Sequence, residues 1–193
     1  MKPIGFTPKL VVLVTCLFLT SCLLPGMIPL DQGSEAPEGP LPTMETDPDK
    51  LLETLQSGEF VYLQQLAEEK YTEEDYAKPN TLTYTVSITD DKPAYFNYGW
   101  CTTTEEILAQ NFEHIQINML FNGKQLGEDV VHGISSTRQD GFVCLEFGVL
   151  MSDWAPGKYK LEAIATFDED INDGAADFDA GDYKFVYNVT VEE

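Results

Sequence analysis

Positive charge is what this chain most lacks. Eleven Lys and Arg stand against 33 Asp and Glu, giving a formal net charge of −22 over 193 residues. A surface this acidic does not hold a phosphate backbone unaided, so nucleic acid is excluded as a partner. Four cysteines are too few for a small disulfide knot. No Gly-X-Y period or sustained heptad is present, which excludes a collagen and a coiled-coil rod. Long apolar runs are missing too, which excludes a polytopic membrane protein. Catalytic motifs are equally scarce. There is no Gly-x-Ser-x-Gly, no His-Glu-x-x-His, no phosphate-cradling Gly loop and no dinucleotide fingerprint. Ser135 and Ser136 lie near His132 and Asp129 in sequence, which is not the geometry of a triad. Among so many acids a carboxylate pair arises by chance, and no pair is singled out by its neighbours. An anchored or secreted hydrolase using acidic residues is therefore the second reading, behind a non-catalytic binding or accessory module.

The first informative stretch is the N-terminus. Lys2 and Lys9 give it a positive start, and Leu10 to Leu19 is apolar apart from Thr15. That run is shorter than the ~20 residues of a membrane span and has the form of a signal-peptide core. Leu19-Thr20-Ser21-Cys22 follows. These four residues resemble the lipobox of bacterial lipoproteins, a Leu and two small residues before a Cys. The resemblance implies a diacylglycerol thioether on Cys22, cleavage before it, and acylation of the new amine. It implies an extracytoplasmic protein of the cell envelope whose membrane partner is reached through the lipid. Residue 23 is Leu rather than Asp, which in that family favours the outer membrane where the organism has two. Loss of residues 1–21 removes two Lys and no acid, so the processed chain is still more acidic than −22.

Residues 22–46 hold Pro25, Pro29, Pro37, Pro40 and Pro42 among Gly and acids, which reads as an extended tether. Residues 47–79 read as a short helical segment. Asp47-Pro48 gives an N-cap and a first helical position, Leu51, Leu52 and Leu55 share a face, and Gly58 is a stop. Phe60, Leu63, Leu66 and Ala67 repeat at helical spacing from Glu59, and Thr72-Glu73-Glu74-Asp75 resembles a capping box. From residue 80 the period changes to two. Leu82, Tyr84, Val86 and Ile88 alternate with polar residues, and similar faces recur around residues 115–121, 143–149, 159–167 and 183–191. Further strands are expected at Ala94–Cys101 and near Val130–Ile134, with a short helix from Thr103 to Gln110. The fold class is therefore mainly β: an antiparallel sandwich of about seven strands over residues 80–193. Trp154-Ala155-Pro156-Gly157-Lys158-Tyr159-Lys160-Leu161 resembles a turn and strand of bacterial immunoglobulin-like and fibronectin-like domains. That likeness implies an immunoglobulin-like sandwich and carries no functional residue.

Cys101 and Cys144 remain once Cys22 carries lipid, and an exported pair of thiols is expected to close a disulfide. By parity both sit on the outward side of their strands, unlike an immunoglobulin bridge, so neighbouring strands or a sheet edge are expected to carry it. A metal site joining Cys101, His114, His132 and Cys144 lacks the close-paired spacing of structural zinc. The densest acidic stretch runs from Asp168 to Asp182. Asp168, Asp170, Asn172 and Asp179 follow an EF-hand-like order, with Gly174 one place late and Asp in place of the final Glu. Two readings stay open for it: a solvated acidic hairpin, or a loop that takes up calcium through those four residues. Nothing in the sequence requires a cofactor, and calcium is the one ligand this spacing suits. Tyr95, Phe96, Tyr98 and Trp100 crowd one strand. Tyr95 is expected to face outward, where it could stack on a glycan or fill a pocket of a protein partner.

Overall fold

Alternating side chains set the architecture. The computed structural model describes residues 40–192. In chain order the elements are β1 (Thr43–Met44), α1 (Pro48–Ser57), β2 (Val61–Tyr62), α2 (Leu63–Leu66), α3 (Glu73–Tyr76), β3 (Thr81–Ile88), β4 (Ala94–Thr102), α4 (Glu105–Asn111) and β5 (Ile115–Phe121). There follow β6 (Lys124–Gln125), β7 (His132–Thr137), β8 (Val143–Ser152), β9 (Gly157–Phe167), β10 (Ile171–Asn172), β11 (Asp177–Phe178) and β12 (Gly181–Val191). Seven of the strands span six residues or more, the number the alternation implied. No helix among the described residues is long and apolar enough to cross a membrane.

Two sheets form the sandwich. One runs β3-β12-β9-β5-β6; in the other β8 pairs with β4, β4 with β2, and the far edge of β8 takes β1 and β7 in succession. The two packed sheets make a β-sandwich, as the mainly-β content implies. The expected purely antiparallel pairing needs correction. β3 runs parallel to β12, from Thr81 opposite Lys184 to Ile88 opposite Val191, and β2 runs parallel to β4. In each pair another strand of the domain intervenes in sequence, so the later strand can return along the same direction as the earlier one.

Leu82, Tyr84, Val86 and Ile88 of β3, Tyr187, Val189 and Val191 of β12, and Leu161, Ala163, Ala165 and Phe167 of β9 line one inner face. Ala94, Phe96, Tyr98 and Trp100 of β4, with Val149 and Met151 of β8, line the other. The small Ala163 and Ala165 make room for aromatic side chains, so the layers interdigitate. Tyr84 stacks on Tyr187 at 4.6 Å, and Trp100 meets Phe167 edge-on at 5.2 Å. In the turn before β9, Tyr159 donates its hydroxyl proton to Ala155 O at 2.8 Å and packs against Trp154.

The N-terminal elements differ in part from expectation. α1 is capped as read: Asp47 accepts from Asp49 N, Pro48 opens the helix and Gly58 closes it at φ 72°. The helix expected from Glu59 gives way to β2 and the single turn α2, because Val61 and Tyr62 pair with Ala94 and Tyr95. The capping box at Thr72 is present. The end of the expected tether enters the sheet, since Thr43 and Met44 pair with Ser152 and Met151.

Candidate functional site

Two of the sandwich's edges, on β3 and on β7, are treated differently. On β3, the extended chain after α2 presents Glu69 and Tyr71 to the strand. The Glu69 carboxylate accepts from Thr85 N at 2.6 Å and from Thr85 Oγ1 at 2.7 Å. The Tyr71 hydroxyl donates to Thr83 O at 2.7 Å and accepts from Thr83 N at 3.0 Å. Glu68 N donates to Thr85 O. The outward main-chain groups of Thr83 and Thr85 are thus spoken for, which blunts the middle of this edge against another strand. The hydrogen bonds from Thr85 hold the Glu69 carboxyl below the usual carboxylate range.

On β7 no such cover exists among the described residues. Glu45 N donates to Leu150 O, so Leu150 turns its carbonyl toward the edge that β1 and β7 share. Alternate residues Glu146 and Gly148 do the same, and they lie opposite Ile134 and His132. It follows that His132, Ile134 and Ser136 bond to β8, while Gly133, Ser135 and Thr137 direct their N–H and C=O groups outward. These three residues are exposed and are small or polar.

Beside this edge lies α1. Leu51 is fully buried against Tyr95 and Leu150, with Leu55, Phe60, Tyr62 and Ile134 packed around them. The Tyr95 expectation is corrected here: it has the outward parity but is 1% exposed, because α1 lies over it. Its hydroxyl has no hydrogen-bond partner among the described residues, and burial raises its pKa, with the Glu146 charge adding to the effect. Between α1 and β7 runs a groove of about 180 Å³, lined by Pro48, Leu51, Leu52, His132, Gly133, Ile134 and Ser135. Leu52, at 38%, is one of the few large apolar side chains left exposed. Neither this groove nor the clamp on β3 was read from the sequence. The alternation of Glu69 and Tyr71 outside any apolar strand was the one available signal for the clamp.

Cys101 and Cys144 form a disulfide between directly opposed residues of β4 and β8, with their Cα atoms 4.0 Å apart. It crosses adjacent strands, as parity implied, and lies outside both core clusters although Cys144 is buried. Cys22 lies outside the described residues.

The acidic loop contains the hairpin of β10 and β11. Asp168 Oδ1 accepts from His114 Nδ1 at 2.9 Å, and Glu169 lies 3.4 Å from the other ring nitrogen. The Asp168 contact raises the His114 pKa, with the nearby acids adding to it against partial desolvation. Asp170 accepts from Ala180 N. Asn172 donates to Asp177, and its own carbonyl accepts from Gly174 N. The main-chain carbonyl of Asp179 accepts from Tyr183. Burial, with the charges of Asp179 and Asp170, pushes the Tyr183 hydroxyl up to about 12. Among the described residues no group of three or more His, Cys, Asp or Glu is placed to hold a metal ion. His132 is far from this loop in the fold; its Nε2 lies 3.3 Å from Glu45 O.

No protein-family model and no curated protein matches the chain.

Proposed function

We propose that this chain is a lipid-anchored, extracytoplasmic protein of the cell envelope whose β-sandwich serves as a non-catalytic binding or accessory module. The observation that supports it most is the contrast between the two edges. Glu69, Tyr71 and Glu68 cover the middle of β3, while among the described residues nothing covers β7 beside its apolar groove. A fold that caps one edge and leaves another free keeps a surface for contact. The bridge between Cys101 and Cys144 agrees with an oxidising compartment. The lipobox-like Leu19-Thr20-Ser21-Cys22 supplies the anchor. Acyl chains bury many methylenes at ~0.8 kcal/mol each, so two or three of them hold a protein stably on a membrane.

Metabolic labelling with a fatty-acid probe tests the anchor. Wild type is expected to take up label and Cys22→Ser to lose it; equal labelling of both removes the lipoprotein reading. A broad hydrolase screen tests the module. Turnover that disappears on substitution of a pair of acids would move the protein to the hydrolase class.

A further inference from the structure

We propose that the groove between α1 and β7 docks an extended, basic segment of a partner protein, which adds as a further strand to the β7 edge. The inference rests on the binding-module reading and gives it a place and a ligand chemistry.

Three features of the groove select this occupant. The first is backbone. Gly133, Ser135 and Thr137 present N–H and C=O groups in the outward register derived above, and only an extended chain can satisfy a row of them. The second is the wall. Pro48 and Leu52 stand one helical turn apart, facing the groove, with Leu51 and Ile134 beneath. Side chains of an added strand alternate, so every second one would meet this apolar surface. The third is charge. At about 100° per residue, Asp49 and Glu53 fall on the outward face of α1, across the axis from the buried Leu51 and next round from Pro48 and Leu52. Lys50 and Thr54 fall on the opposite flank. Asp49 and Glu53 are exposed, and nothing in the pairing of charges neutralises them: the described salt bridges involve His114, Arg138, Lys160 and Lys184. Cations flanking an apolar core would be drawn to these exposed carboxylates on the helix that walls the groove.

β7 itself lacks the devices that protect a free edge. The run His132-Gly133-Ile134-Ser135-Ser136-Thr137 has no Lys, no Pro and no inward charge. The opposite edge, on β3, is clamped by side chains. Two edges of one sandwich therefore follow opposite rules, and the open one coincides with the apolar groove.

The test uses the full-length protein and a fluorescein-labelled peptide of alternating Val and Thr with Lys pairs at both ends. Saturable binding by fluorescence anisotropy is expected, weakening as salt is added. Amide shifts in an NMR titration are expected to centre on Gly133, Ser135 and Thr137. Ser135→Pro removes an outward N–H without touching the ladder to β8, and is expected to weaken binding about tenfold or more. Leu52→Arg leaves β7 unchanged and places a cation in the groove; it is expected to weaken the peptide similarly and keeps the test valid if Ser135→Pro folds poorly. A peptide with Glu in place of Lys is expected not to bind. The proposal is overturned by absence of saturation, by binding indifferent to both substitutions, or by shifts on another face. It is overturned equally by self-association of the protein through β7, which would make a second copy the occupant. A protein that carries fatty acid on Cys22 yet ignores the peptide loses the groove and keeps the anchored module; one that binds the peptide without label on Cys22 loses only the anchor.

Discussion

Gly148 and Tyr95 show how one residue sets what the outer face of a sheet can hold. A Cβ at Gly148 would stand 2.2 Å from the Tyr95 hydroxyl oxygen and 2.3 Å from its ring carbon. The ring can lie flat on β8 only because residue 148 has no side chain. Gly148→Ala is therefore expected to lower stability by about 1–3 kcal/mol, as overpacking does. In a double-mutant cycle the loss should shrink when Tyr95 is also truncated to Ala. Additive losses would show that the ring is not where the strain falls. The Cys101–Cys144 bridge belongs to the same face. Closing its loop across 43 positions of sequence separation is worth ~4 kcal/mol in the chain-entropy account. Because it lies outside both core clusters, Cys101→Ala/Cys144→Ala should lower the melting temperature and leave the far-ultraviolet strand signal in place. Mass spectrometry of unreduced peptides should find the crosslink in native protein; two free thiols there would remove it.

At the scale of elements, two side-chain ties respond to pH in opposite windows. The Glu69 carboxyl is held below its ordinary value by Thr85, so its contribution is present above the unfolded value of 4.5 and is lost as pH falls through the depressed one. The His114 pKa is raised by Asp168, so that tie is complete below 6.5 and is lost as pH rises through the raised value. Hydrogen exchange at Thr85, corrected for its intrinsic pH dependence, is expected to accelerate on acidification before the core amides do. Glu69→Gln should make it fast at neutral pH and flatten the acid dependence; unchanged Thr85 protection in that variant would discard the clamp. How far these elements were legible in the sequence follows from the range of the forces that make them. Asp47-Pro48 with Gly58, the capping box at Thr72 and the alternation in β3, β9 and β12 are local, and the structure has them. Tyr95 was legible in parity but not in exposure, because its cover comes from Leu51, more than forty residues away. Val61 and Tyr62 abandon a helical spacing for a pairing with β4 that no local signal announces. The parallel partnership of β3 and β12 joins strands from opposite ends of the domain, and the groove exists only where α1 and β7 meet. Contacts at long sequence separation made each difference.

Over the whole molecule the dominant fact is charge, at −22 with 33 acids against 11 bases. Such self-repulsion destabilises a compact state and relaxes as salt screens it, the Debye length being ~10 Å at 0.1 M. The acidic loop concentrates the effect, and its geometry bears on whether calcium acts there in a special way. Asp170 already accepts from Ala180 N, Asp173 from Ala175 N and Ala176 N, and Asp177 from Asn172. Asp168 is turned to His114. A cation gathering these oxygens would have to draw them from donors that shape the hairpin, and would still need six to eight oxygens. The expected behaviour is therefore general screening. Sodium, magnesium and calcium chlorides at matched ionic strength should raise the melting temperature alike. Asp170→Asn alone should stabilise slightly at low salt by removing one charge, whereas Asp168→Asn should weaken the tie to His114 in the pH range where that imidazole is protonated. A bound ion has a different signature, RT ln(1 + [L]/Kd), which reaches ~2.7 kcal/mol at a hundredfold excess over the dissociation constant. A rise that calcium produces, that magnesium does not, and that Asp168→Asn/Asp170→Asn abolishes would make the loop an ion site after all. It would also require Asp168 and Asp170 to exchange their present partners for the metal, which an NMR titration would register first at His114 and at the amide of Ala180.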